Sequence, residues 1–124
     1  MAIASPKSYT TMLQMYHNNR CGKSRQALQL LQEQGQEVQV IEYLKTTPTA
    51  EELRLVIQKL GIEPEQLLRK GEPLFKEKFA NQVHTAEEWV QIMSENPILI
   101  ERPIVVNGEK AVIGRPPEKV LTLL

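Results

Sequence analysis

The sequence has one cysteine, no surplus of either charge and no long apolar run. Each shortage excludes something. A lone thiol makes no internal disulfide, so the fold stands without one, and redox chemistry at that thiol needs a second thiol from elsewhere. Fifteen Lys and Arg balance fifteen Asp and Glu, so no global field draws the chain to nucleic acid or to an anionic membrane, and any affinity for anions has to be local. The longest apolar stretches, such as Ile98 to Ile100 and Ala111 to Ile113, fall far short of a membrane span. The first twenty residues lack the apolar core of a signal peptide. The expected location is the cytoplasm. At 124 residues the expectation is a single domain over 1–124, large enough for a hydrophobic core and too short for two.

What is present is a legible order of elements. Residues 1 to 8 are small and polar with an early proline, which predicts a frayed extension. "YTTMLQMYH", Tyr9 to His17, nearly alternates with β-branched and aromatic residues, which predicts a strand. "SRQALQLLQEQG" places Ala27, Leu28 and Leu31 on one helical face and closes on Gly35. "EVQVIEY" alternates again as a second strand. Strand, helix and strand in this compass make a βαβ unit with parallel strands.

A helical middle follows, over about 48–96. Thr49 and Glu52 form a capping box ahead of Leu53, Val56, Ile57 and Leu60, and Gly61 ends that helix. "IEPEQLLRKGEPLFKEKF" predicts one or two short helices split by Gly71 and Pro73, and Thr85 with Glu88 repeats the capping box before Pro97. "RPIVVNGEKAVIG" puts two apolar runs around Asn107 and Gly108, a hairpin signal, and "PPEKVLTLL" opens a last helix on prolines. The order β-α-β, helical insert, β-β-α is that of a thioredoxin-like α/β fold with an all-helical insertion between its halves.

Cys21 falls at the junction of the first strand and first helix. Unpaired backbone N–H groups and the positive end of the helix dipole converge there, which favours a thiolate and an oxyanion beside it. Arg20, Lys23 and Arg25 add positive charge, and Ser24 is a candidate to cap the helix or to donate to the sulfur. The ordinary state of a free cysteine is a small buried hydrophobe, and a junction flanked by three cations argues against that reading. Spacing tests the rival motifs. A phosphatase-type loop needs an arginine six positions after its cysteine, where this chain has Ala27. A dithiol needs C-x-x-C, and Ser24 occupies the fourth place. Metal binding has little support, because His17 and Cys21 have only the remote His84 for company. His17 either supports the thiolate or is a strand-end histidine satisfied by backbone.

Arg69, Arg102 and Arg115 stand at element ends. Singly, each reads as a solvated charge; together with a helix N-terminus they suit a tetrahedral oxyanion, since guanidinium pairs donors as lysine does not. Arg102 and Arg115 each precede a proline, which restricts them to extended backbone. Pro103 opens an apolar strand, the place of the cis-proline that faces the active thiol in a thioredoxin-like domain.

"YHNNRCGKSR", "YLKTTPT", "LLRK", "ENPILIERPIVV" and "IGRPPEKVL" together resemble the glutaredoxin-coupled arsenate reductase (ArsC) family, especially its short YfgD-like bacterial subgroup. The resemblance runs in order from about Met12 to the C-terminus. It implies a monothiol mechanism: the Cys21 thiolate attacks arsenate, glutathione forms a Cys-S-As-SG adduct, and glutaredoxin reduces it and releases arsenite. By matching motifs, Arg69, Arg102 and Arg115 would hold the oxyanion, while His17, Asn18, Ser24 and Arg25 would support the thiolate. No bound cofactor or metal is implied; glutathione is a co-substrate, glutaredoxin a partner, and a monomer is expected. Two departures are Asn19, where the family has proline, and Arg20, a further cation beside the thiol. An Spx-like regulator would need the second cysteine that Ser24 replaces. A monothiol glutaredoxin-like carrier, which "CGKS" resembles, has no use for three oxyanion clamps.

Overall fold

In the computed structural model of the chain, residues 12–124 are described; the extension expected over 1–8 and the start of the first strand at Tyr9 lie outside them. The described residues form two compact units, one made of residues 12–42 with Arg102–Leu124 and the other of Tyr43–Glu101. The second includes residues 48–96.

The first unit is a four-stranded sheet of order β2-β1-β3-β4, with β1 Leu13–His17, β2 Val38–Glu42, β3 Ile104–Asn107 and β4 Lys110–Ile113. β1 runs parallel to β2 through α1, Gly22–Glu33, and antiparallel to β3, which pairs antiparallel with β4. Alternation along β1 sends Leu13, Met15 and His17 to one face. α1 meets that face with Ser24, Ala27 and Leu31, its buried positions at three- and four-residue spacing. Leu13, Met15, Ala27, Leu31, Val105, Val120 and Leu123 form the core. His17 and Ser24 extend that layer as a polar pair at its end.

Two elements differ from expectation. The C-terminal "helix" is a 3-10 helix, Pro117–Leu123, not an α-helix. Its buried residues are Pro117, Val120 and Leu123, spaced by three, so a helix with three residues per turn buries all of them where a 3.6-residue turn would rotate them off the core. The hairpin pairs Asn107 with Lys110, so Gly108 and Glu109 make its two-residue turn. Gly108 has φ 62, a left-handed conformation that favours glycine.

The second unit holds α2, Ala50–Leu60, a 3-10 turn at Pro64–Leu67, α3, Pro73–Lys78, α4, Ala86–Glu95, and a 3-10 turn at Pro97–Leu99. Both expected capping boxes are formed, Thr49 with Glu52 and Thr85 with Glu88. α2 turns Leu53, Val56 and Ile57 inward and packs on α4, whose Trp89 lies among Phe75, Phe79 and His84. An antiparallel bridge joins Leu68 to Ile100.

Candidate active site

The register of the first unit decides what surrounds Cys21. Tyr16 at the end of β1 pairs with Ile104 at the start of β3, and Ile104 pairs with Ile113 at the end of β4. The segments beyond those residues therefore leave the sheet at one end: Asn18 to Cys21, Arg102 with Pro103, and Gly114 with Arg115. Both Arg102–Pro103 and Arg115–Pro116 are cis.

Cys21 is the N-cap of α1, with extended backbone and no side-chain capping bond. Its carbonyl accepts the first helical bond from the Arg25 N–H at 3.0 Å. The N–H groups of Gly22, Lys23 and Ser24 thus precede the helical ladder, and they carry the positive end of the dipole. Cys21 is only 8% exposed, so the junction does bury it, contrary to the expectation from sequence. It is not an apolar burial. Arg115 brings Nη2 to 3.9 Å from Sγ, and its Nε donates to the Arg102 carbonyl at 3.0 Å. The Arg102 backbone thus aims the Arg115 guanidinium at the thiol.

Gly114, which the sequence reading passed over, makes this approach possible. A Cβ there would lie 2.9 Å from Pro103 Cγ and 3.0 Å from Val120 Cγ1. Its N–H also donates to the Pro103 carbonyl at 2.8 Å. The available signal was a glycine between a strand and an Arg-Pro pair.

Ser24 neither caps the helix nor donates to the sulfur. Its Oγ lies 2.7 Å from His17 Nδ1 and accepts from the Asn18 N–H at 3.2 Å. The reason is its place on the buried stripe of α1, which faces His17 rather than the open end of the helix. Arg25 also departs from its expected place as a charge on the sulfur: its Nη1 donates to the Asn19 carbonyl at 2.8 Å. Asn18 Oδ1 accepts from the Arg20 N–H at 3.0 Å. Burial holds the His17 imidazole below its ordinary pKa; the Glu42 carboxylate opposes this and the Arg25 charge adds to it. At neutral pH His17 is a neutral hydrogen-bonding group. It supports the thiol loop through Ser24 rather than as a cation.

Arg69 belongs to the other unit. Its Nη1 donates to Glu72 and its Nε lies 3.5 Å from Glu101. Among the described residues no group of three or more His, Cys, Asp or Glu is arranged to hold a metal ion. No helix among them is long and apolar enough to cross a membrane.

An uncapped helix start, a buried thiol and a guanidinium trained on it define a single-cysteine site of thioredoxin-like architecture. Residues 16–123 match the model of the ArsC family, and the chain belongs to that family. It is 45% identical over 117 residues to the Escherichia coli K12 protein called YfgD, covering 93% of this chain and 98% of that one. A Haemophilus influenzae arsenate reductase is 41% identical over 112 residues, covering 89% and 97%. Among solved structures, an arsenate reductase from Vibrio cholerae superposes with TM-score 0.88 at 44% identity, covering 93% of this chain and 99% of that one.

Proposed function

We propose that this protein is an arsenate reductase that uses the Cys21 thiolate as nucleophile and glutathione with glutaredoxin as reductant. The observation that carries the reading is the approach of Arg115 Nη2 to Cys21 Sγ at the uncapped start of α1. A nucleophilic thiolate needs a nearby cation or helix terminus. A tetrahedral anion arriving there would meet the N–H groups of Gly22, Lys23 and Ser24, with Arg115 across from them. Sulfur attacks arsenic and water leaves. Glutathione displaces a second water to form the Cys-S-As-SG adduct; a glutaredoxin thiol takes the glutathionyl sulfur as a mixed disulfide, the electron pair reducing arsenic to As(III), and water then replaces the Cys21 sulfur on arsenic so that arsenite departs and the thiol is restored. The single cysteine supports a borrowed thiol, because the chain supplies no second one. Arg102 completes the oxyanion clamp in this reading. The protein acts as a cytoplasmic monomer.

The test is arsenite formation by purified protein with arsenate, glutathione, glutaredoxin and an NADPH-linked regenerating system. Wild type should turn over, and Cys21→Ser should fall to background. Equal rates for the two would end the assignment.

A further inference from the structure

The turn that delivers Cys21 is held from outside. The Cys21 N–H donates to the Asn18 carbonyl at 2.9 Å, so Asn18 to Cys21 is a β-turn with Asn19 and Arg20 at its central positions. Asn18 Oδ1 reinforces it by accepting from the Arg20 N–H. Side chains from the first turn of α1 then grip it twice. Ser24 holds the Asn18 N–H, and Arg25 Nη1 donates to the Asn19 carbonyl. The same guanidinium lies over Gly22, with Nη2 3.8 Å from where a Cβ would stand.

We infer that Arg25 is a positioning residue: it latches the Asn18–Cys21 turn to α1 through the Asn19 carbonyl, and so fixes the Cys21 sulfur opposite Arg115. Its work is done through a backbone bond rather than through its charge on the thiol. Without the latch, the central peptide of the turn keeps only the bond from the Arg20 N–H to Asn18 Oδ1, made within the turn itself, and nothing ties it to α1. The sulfur then leaves the setting in which Arg115 Nη2 meets it, and displacements of this size are costly to a reaction that depends on placement.

The geometry supplies its own control. Asn19 is the first central residue of the turn, where proline suits both common turn types. No non-glycine residue among those described has positive φ, and the Asn19 N–H makes no hydrogen bond among them. Asn19→Pro should therefore be accepted, stiffening the turn by covalent means. A turn held by its own ring has little need of Arg25.

The inference rests on the arsenate reading for its turnover measurement but not for its chemical one. The four proteins to compare are wild type, Arg25→Ala, Asn19→Pro and the double variant. Each is assayed for kcat/KM with arsenate and for the pH dependence of alkylation of Cys21, the only cysteine, by iodoacetamide. Arg25→Ala should lose about tenfold in kcat/KM and gain about threefold in alkylation rate at the high-pH plateau as the sulfur is released. The pH of half-maximal alkylation should not move. The double variant should recover to within about threefold of Asn19→Pro in both measurements. A shifted alkylation midpoint with no rescue by proline would show that Arg25 acts by charge. An unchanged plateau rate, or a lowered melting temperature with both rates intact, would likewise overturn the latch. If wild type leaves arsenate untouched, the proposed function fails alone, because the alkylation plateau still decides the role of Arg25.

Discussion

Helices α2 and α4 begin on threonines whose side chains accept from the N–H three residues on, while Glu52 and Glu88 reach back to the cap; both have two glutamates in the first turn. α1 begins on Cys21, with no capping side chain and no acidic residue in its first turn. The same four orphan donors exist at every helix start. At the starts of α2 and α4 a capping box satisfies part of them locally, while α3 starts on Pro73 with no side-chain cap. At the start of α1 the Cys21 N–H is bonded to the Asn18 carbonyl, and no side chain caps the N–H groups that follow it. Under the arsenate reading, the start at Cys21 is the one that an anion would use.

The strongest way to break that comparison is to alter the group facing the uncapped start. Arg115→Lys keeps the charge but loses the planar fork, and with it the pairing of donors on two oxygens. Under the arsenate reading, kcat/KM should fall by about tenfold or more, with the melting temperature nearly unchanged. Wild-type kinetics in that variant would remove Arg115 from the anion site.

The helix starts themselves give a prediction with opposite signs in the two units. Thr49→Ala and Thr85→Ala each remove a cap and should each cost about 1 kcal/mol in urea unfolding. Cys21→Ser installs a good N-cap oxygen where none was, and should gain a few tenths of a kcal/mol while abolishing turnover. A loss of stability in Cys21→Ser would show that the thiol makes contacts worth more than a cap.

The caps were legible in the sequence because they are local: Thr-x-x-Glu ahead of an apolar stripe is enough. The position of Cys21 was legible for the same reason, as the point where a period of two gives way to one of 3.6. What escaped was set by neighbours distant in sequence or by orientation within a turn. By sequence Ser24 suits the cap or the sulfur, yet the phase of α1 turns it to His17. Arg25 was assigned to the sulfur, yet its fork reaches the Asn19 carbonyl. The guanidinium beside the thiol is that of Arg115, which is 94 residues away and arrives through the β1–β3–β4 register. The last helix was ambiguous because "PEKVLTL" fits an apolar stripe at either period until the core selects three.

The smallest effect at neutral pH is that of the His17–Ser24 pair, which shows itself only on acidification. Burial lowers the His17 pKa in the folded protein below its unfolded value of about 6.5. Above that pH both states hold the imidazole neutral and the residue adds no pH dependence. As pH falls through the unfolded pKa, the unfolded chain takes up the proton first, so folded stability declines until the folded pKa is passed as well. In the protonated ring both nitrogens carry hydrogen, Nδ1 included. Ser24 Oγ must then accept from His17 as well as from Asn18, and the hydroxyl no longer donates to the ring. Urea unfolding of wild type at pH 7.5 and at pH 5.0 should therefore show a loss of stability on acidification that is reduced in His17→Gln. If the two proteins lose the same amount, His17 is not protonated selectively in the unfolded state, and the polar pair at the end of the α1 layer is indifferent to pH.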